Sequence, residues 1–397
     1  MMNKENINKK TFILSKSIIL LMAITCGVTV ANLYYSQPLL SQIANTFHVS
    51  QASAGIVSTL TQIGYAFGLF FFVPLGDVKE RRSLIIKMLC FIAIALLIVA
   101  VAPSYPILLI ASFLVGFTTI VPQIIVPFAA HLAKPKERGK IIGIVMSGVL
   151  IGILLSRTFS GLIGGKFGWR IVYFCAASFM ILFAVLIKKL LPTSIPSSNI
   201  SYKNLLSSIV PLFKSEPVLR EASINGAAMF ASFSAFWTAL VFLLGTSTYK
   251  MGSREAGLFG LVGVAGALIA PFVGKISDKK TPRFTIGIAI TLSTLSYICF
   301  WFLGYKLLGL IIGIILLDIG SQTGLVSNQA RIQALNDESR SRINTVFMVF
   351  YFMGGAVGSF LGALGWQYYG WHGVCLVGIL FQLIAMIFHF IIYRKNN

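Results

Sequence analysis

Acidic residues are scarce in this chain, with 11 Asp and Glu against 32 Lys and Arg in 397 residues, and charged residues of both signs make up only 11%. Soluble domains carry about 25% charged residues, so a water-soluble globule is excluded. Histidines are few and scattered (His48, His131, His372, His389), and no metal or catalytic constellation can be built from them. The five cysteines (Cys26, Cys90, Cys175, Cys299, Cys375) sit inside apolar runs without ligand spacing and read as small buried hydrophobes. No Gly-x4-Gly-Lys-Ser/Thr motif occurs, which removes ATP-driven pumping. No cofactor or metal is expected, and an intramembrane enzyme would need clustered acid, base or metal ligands that the apolar runs lack.

What is abundant is hydrophobic sequence, 57% of residues. Roughly 20 apolar residues cross a bilayer core, which predicts spans near 17–38, 53–75, 84–102, 107–130, 141–163 and 170–190, and then near 218–243, 256–273, 284–303, 307–328, 343–366 and 371–393. The expected fold is an all-α membrane protein of twelve transmembrane helices in two six-helix halves. The halves are residues 1–190 and 217–397, joined by a linker at 191–216. The apolar run Ile18–Pro38 is too long for a signal-peptide core and reads as an uncleaved first span. The linker opens with Pro192, Ser194, Pro196, Ser197 and Ser198, and its Tyr202–Phe213 stretch suits a short helix at the cytoplasmic interface.

Basic residues fall between the spans, which argues for an orientation signal and against nucleic-acid binding. Twenty-six of the 32 Lys and Arg lie on the side of the two termini. Five lie on the other (Lys166, Arg170, Lys250, Arg254, Lys306), and Arg157 lies within a span. Both termini are therefore expected in the cytoplasm.

The two halves echo each other. Asp77-x4-Arg82 recurs 201 residues later as Asp278-x4-Arg283, Glu137 recurs as Glu338 at the same offset, and Gly168-Trp169 recurs as Gly370-Trp371. A charged turn after an apolar helix, present twice at half-chain spacing, points to a duplicated membrane unit.

With twelve spans and both turns, the chain resembles the major facilitator superfamily along essentially its whole length. The family signature of the turn between the second and third spans, Gly-x3-Asp-x4-Arg/Lys, is matched in the second copy by Gly274, Asp278 and Arg283. The first copy keeps Asp77 and Arg82, with Arg81 beside them, but has Val73 for the Gly. The segment Asn32-Leu33-Tyr34-Tyr35-Ser36-Gln37-Pro38 is similar to a bacterial drug- and sugar-efflux subgroup of proton antiporters. The resemblance implies a secondary transporter of the bacterial inner or plasma membrane, monomeric, working by alternating access, with a small-molecule substrate and protons as partners. It also implies a gating role for the turn motifs, in which Asp pairs with Arg or Lys on the closed side; charges that only set topology are the other reading.

Charges at membrane depth cost about 2.5–3.5 kcal/mol each on insertion scales, so Asp318 and Arg157 stand out as coupling candidates. Asp318 can serve as a proton or substrate site, or as a structural charge partner. Arg157 occupies the place of a Gly-Pro pair in the family's proton-driven exporters, and Ser112 that of a family Arg. At 1.5 Å rise per residue Arg157 lies roughly 24 Å and Asp318 roughly 15 Å from the cytoplasmic side, which leaves direct pairing open. Small residues at four-residue spacing in the same span, with Gly148, Gly152 and Gly161, allow close helix packing. Spans 1, 4, 7 and 10 face the centre in this family, so the resemblance nominates Asn32, Tyr34, Tyr35, Gln123, Asn225, Trp237 and Gln322 as cavity residues, with Gln62 of span 2. Each alone reads first as a satisfied interhelical hydrogen bond or an interfacial aromatic, and only as a group do they describe a site. The Phe70–Phe72 and Phe347–Phe352 stretches read as lipid-facing packing, with enlargement of an apolar pocket as the other reading.

The function expected is proton-coupled efflux of a small neutral, cationic or amphipathic organic molecule. A sugar or nucleoside-like importer or facilitator is the alternative, and a membrane ligand sensor a remote one.

Overall fold

Inside a bilayer only helices and closed barrels satisfy every backbone N–H and C=O, so apolar runs of this length fold as helices. The computed structural model describes residues 14–193, 202–207, 209–263, 281–335 and 340–392, and every regular element among them is helical. Ten of the described helices are long and apolar enough to cross a membrane.

The first span is broken. Helix α1 (Lys16–Val30) passes into two 3-10 turns, Ala31–Leu33 and Gln37–Leu39, before α2 (Leu40–Phe47) completes the crossing. Pro38 explains the second turn: it has no N–H to give, and its ring obstructs the carbonyl four residues back. The span thus ends nine residues beyond the expected Pro38. Helix α3 (Gln51–Phe72) starts at a Ser50 cap and is followed by the short α4 (Leu75–Val78). Helix α5 (Arg81–Val101) is capped by the Glu80 carboxylate, which accepts from the Arg82 and Ser83 amides at 2.9 and 2.7 Å. The fourth span is interrupted as well, with α6 (Tyr105–Thr118) and α7 (Val121–Leu132) meeting ahead of Pro122. Helices α8 (Arg138–Phe167) and α9 (Trp169–Leu190) complete this half.

Two short helices, α10 (Tyr202–Ser207) and α11 (Ile209–Ser215), stand in the linker. Tyr202 Oη donates to the Phe71 carbonyl at 2.7 Å, and Phe213 stacks on Phe350 at 4.5 Å. Then come α12 (Pro217–Leu244), a helix over 253–263 (α13), α14 (Pro282–Leu303), α15 (Leu307–Gln333) and α16 (Arg340–Ile387) with a π turn at its end. Gly370, at φ 58°, divides α16 into the eleventh and twelfth spans. The eighth span, expected at 256–273, is described only as far as residue 263.

The internal repeat extends to three-dimensional detail. Gly168 and Gly370 are the two glycines of positive φ among the described residues, and each turns the chain between the last two spans of its half. Arg82 Nη1 donates to the Leu191 carbonyl and Arg283 Nη2 to the His389 carbonyl, both at 2.9 Å. Each arginine thereby holds the end of its half's last helix. Arg81, beside the first copy, turns back to the Gly76 carbonyl through Nε at 2.9 Å. Gly274 and Asp278 lie outside the described residues, as does the side chain of Asp77.

Bare glycine surfaces let helices approach closely. A Cβ on Gly152 would overlap the Gly27 carbonyl oxygen, and one on Gly148 would overlap that of Ala23, so α8 lies directly against α1. Farther along α8, Gly161 meets Gly257 of α13.

Away from the chain termini the two halves are latched. Ser50 Oγ donates to Gln367 Oε1 at 3.1 Å, Trp366 Nε1 donates to Gln51 Oε1, and Gln42 Nε2 donates to Ser253 Oγ at 3.0 Å. Deeper in, Thr158 Oγ1 reaches the Gly257 carbonyl at 3.0 Å.

Candidate substrate and coupling site

The broken first span and the buried seventh span meet at Arg157. Unwinding over residues 31–39 turns Tyr34 and Gln37 toward α8, while α12 presents Phe233 and Trp237 from the other half. Arg157 is 1% exposed, far from any water a guanidinium would prefer. Its Nε donates to Gln37 Oε1 at 2.7 Å. Its Cζ lies 4.0 Å from the Trp237 ring centroid, 5.1 Å from that of Tyr34 and 5.5 Å from that of Phe233. Three ring faces therefore supply the electrostatic attraction that water would otherwise give. One edge stays uncommitted: Nη2 is buried without a hydrogen-bond partner, and so is Trp237 Nε1.

Asp318, on α15, is also 1% exposed, and its Oδ2 has no hydrogen-bond partner. No ion pair joins it to Arg157 in this structure, although the two charges are within electrostatic reach of each other. Helix α13 touches both of them. A Cβ on Gly260 would come 3.1 Å from Arg157 Cβ, and a Cβ on Gly263 would come 3.2 Å from the Asp318 carboxylate. Residues three apart on a helix are neighbours about 5–6 Å from each other, so one turn of bare helix wall borders both charges.

A second group lies beside this one. Gln62 donates through Nε2 to Ser359 Oγ at 3.0 Å, Thr238 Oγ1 reaches the same Ser359 Oγ at 3.0 Å, and Ser234 Oγ is 3.5 Å from Gln62 Oε1. Tyr65, toward which Gln123 Nε2 points at 3.4 Å, meets Phe352 edge-on at 4.4 Å; Phe230 in turn stacks on Tyr351 at 4.0 Å. The expected lipid-facing role of the Phe347–Phe352 stretch is thus overturned for Phe347, Tyr351 and Phe352, which are buried and line the contact with α3 and α12. Phe71 is exposed on the outer face, as expected.

The other nominated residues are not brought to Arg157. Tyr35 packs on Phe159, and Asn32 Nδ2 points at Met180 Sδ at 3.5 Å, because successive residues of a helical turn point about 100–120° apart. Asn225 Nδ2 lies 3.4 Å from the Ala385 carbonyl, between α12 and α16. Gln322 is half-buried. Ser112 donates to the Leu108 carbonyl of its own helix at 2.7 Å.

Sequence reasoning missed Gln37 and Phe233 as partners of Arg157, although Gln37 stands in the quoted Asn32–Pro38 segment. It also missed a buried ionic group at the end near the termini. There Glu221 Oε2 pairs with Arg331 Nη2 at 2.8 Å, and His389 Nδ1 stands 3.4 Å from Glu221 Oε1. These residues come from three distant helices, so no spacing could have joined them.

The model of the Major Facilitator Superfamily matches residues 20–330. The chain is 41% identical to a putative uncharacterized transporter, YgaY, of Escherichia coli, over 94% of this chain and 95% of that protein. It is 26% identical to a probable sugar efflux transporter of Pasteurella multocida, over 90% and 87%. Among solved structures, a bacterial homolog of the human lysosomal transporter Spinster superposes with a TM-score of 0.74 at 17% identity, over 96% of this chain and 97% of that one.

Proposed function

The chain belongs to the Major Facilitator Superfamily, and from that membership we propose that this multi-pass membrane transporter couples proton entry to the efflux of a small amphipathic organic solute of low net charge. The observation that carries this reading is the Asp318 carboxylate, buried within α15 with an oxygen left without a donor. A carboxylate in that position is costly when charged. It is relieved by a proton or by a donor group on the solute, and alternation between the two is the chemistry of exchange. The latch on the side away from the termini supplies one closed gate, and the turn motifs with Arg81, Arg82 and Arg283 supply the other. The sugar-efflux relative supports export as the direction. The protein works as a monomer in the bacterial inner membrane, with both termini cytoplasmic, as its basic residues imply.

The test uses purified protein in liposomes containing a pH dye, an imposed proton gradient and a panel of dyes, antibiotics, sugars, nucleosides and amino acids. A solute-triggered proton flux that Asp318→Asn abolishes, in a variant that still elutes and melts as a folded protein, is the expected result. Solute movement without proton flux would instead make the protein a facilitator, and an active Asp318→Asn variant would take Asp318 out of the mechanism.

A further inference from the structure

We propose that Arg157 and Asp318 are the two poles of one recognition site, and that the solute it takes is zwitterionic, an amino-carboxylate. The inference rests on the transport reading above and names the substrate class of the same site.

Three observations carry it. The guanidinium of Arg157 is held by Gln37 on one edge and by three aromatic faces around it, yet Nη2 remains a buried donor without an acceptor. Trp237 Nε1, on the ring that Arg157 covers, is a second buried donor without an acceptor. Two such donors, one of them cationic, complement a carboxylate, whose two oxygens can each accept.

The other pole has the opposite need. Asp318 Oδ2 is a buried acceptor without a donor, and Ser321 Oγ, one turn along α15, is buried without a partner as well. An ammonium group supplies both charge and donors there. A cation alone would leave Arg157 unanswered, and an anion alone would leave Asp318 so. A solute carrying both groups answers each of them and brings no net charge into the membrane. Gly260 packs against Arg157 and Gly263 against the Asp318 carboxylate, so α13 borders both poles within a single turn. The transported proton and the solute ammonium then compete for one carboxylate, which makes their exchange one for one.

The experiment measures binding to the purified full-length protein, using the twenty free L-amino acids as probes. Each binder is then compared with its amide, its decarboxylated amine and its deaminated acid. The expected result is that at least one amino acid binds and that removal of either charge weakens binding about tenfold or more. Arg157→Gln should erase the preference for the free acid over the amide, and Asp318→Asn the preference for the amino compound over the deaminated acid. No binder among the twenty overturns the proposal, as does an amine that binds as well as its parent. The second outcome would indicate that Arg157 serves only as an internal counter-ion. The wild-type comparison needs no variant to fold. Proton flux measured in parallel separates the two readings: flux triggered only by a solute lacking one pole removes the zwitterion and keeps the exporter, whereas amino-acid binding with no coupled flux does the reverse.

Discussion

Gln62 of α3 and Ser359 of α16 meet at 3.0 Å, with Nε2 donating to Oγ, at 1% and 0% exposure. The bond joins the two halves of the molecule, and Thr238 and Ser234 gather around it from α12. Interhelical hydrogen bonds in membranes average about 0.6 kcal/mol and reach about 1.7, enough to shift a two-state equilibrium several-fold. Gln62→Leu should therefore weaken the closure of the side away from the termini. With cysteines at Ser50→Cys and Gln367→Cys, cross-linking across that gate is expected to fall several-fold when Gln62→Leu is added. Unchanged cross-linking would mean that the bond forms in both states and does not gate.

The approach of α8 to α1 makes a stability prediction with an internal control. A Cβ at Gly152 overlaps the Gly27 carbonyl oxygen, and the obstacle is backbone that cannot rotate away. Gly152→Ala should cost about 1–3 kcal/mol, the usual range for overpacking. Gly143 lies in the same helix, and a Cβ there meets nothing within 4 Å. Gly143→Ala should be neutral or stabilising by up to about 1 kcal/mol. Melting temperatures of the two variants in detergent are expected to move apart; a Gly152→Ala protein as stable as wild type would show that the two helices can separate freely.

Gly168 (φ 87°, ψ 154°) and Gly370 (φ 58°, ψ −144°) both hold backbone that residues with a Cβ strongly avoid. Space is available at both, since neither added Cβ meets anything within 4 Å. The penalty of Gly168→Ala or Gly370→Ala is thus conformational, about 1–3 kcal/mol each. Because the sites lie in different halves and share no partner, the double variant should lose the sum of the two within about 0.5 kcal/mol. Marked non-additivity would show that the two turns are coupled.

The pair Gly168 and Gly370 also shows how far the sequence reached. Its spacing of 202 residues, beside the two Asp-x4-Arg turns, was enough to identify a duplicated helical unit, because a turn between adjacent spans is local chemistry. Arg157 and Asp318 were equally visible, since charge within an apolar run is rare. Their relationship was not: the expected depth gap of roughly 9 Å said nothing about α13 bordering both with Gly260 and Gly263. Tyr34 and Trp237 were nominated as cavity residues, but their role as platforms for a cation needed the unwinding of residues 31–39, which depends on packing as well as on Pro38. Tyr351 and Phe352 were assigned to lipid because an aromatic run with no clear period leaves its inward face undetermined.

The ion pair of Glu221 and Arg331 was the least legible feature and gives the sharpest energetic test. Glu221 is 0% exposed on α12, and Arg331 reaches it at 2.8 Å from the last turn of α15. His389 stands 3.4 Å from its other oxygen, and Arg283 is tied to the His389 carbonyl. Glu221→Leu removes the negative charge at the centre of this group and leaves Arg331 buried without a carboxylate. Breaking a buried pair in this way costs about 3–5 kcal/mol, whereas replacing both partners with apolar groups is often neutral or stabilising. Thermal melts should therefore show a large loss for Glu221→Leu and recovery of most of it on adding Arg331→Met. If the double variant is instead as unstable as the single one, the cost lies in the packing of Glu221 against α15 and α16 rather than in an unpaired arginine. Transport measured on the double variant then separates stability from gating: an ionic group that only holds helices together leaves the rate intact once stability returns, whereas one that must open and close does not.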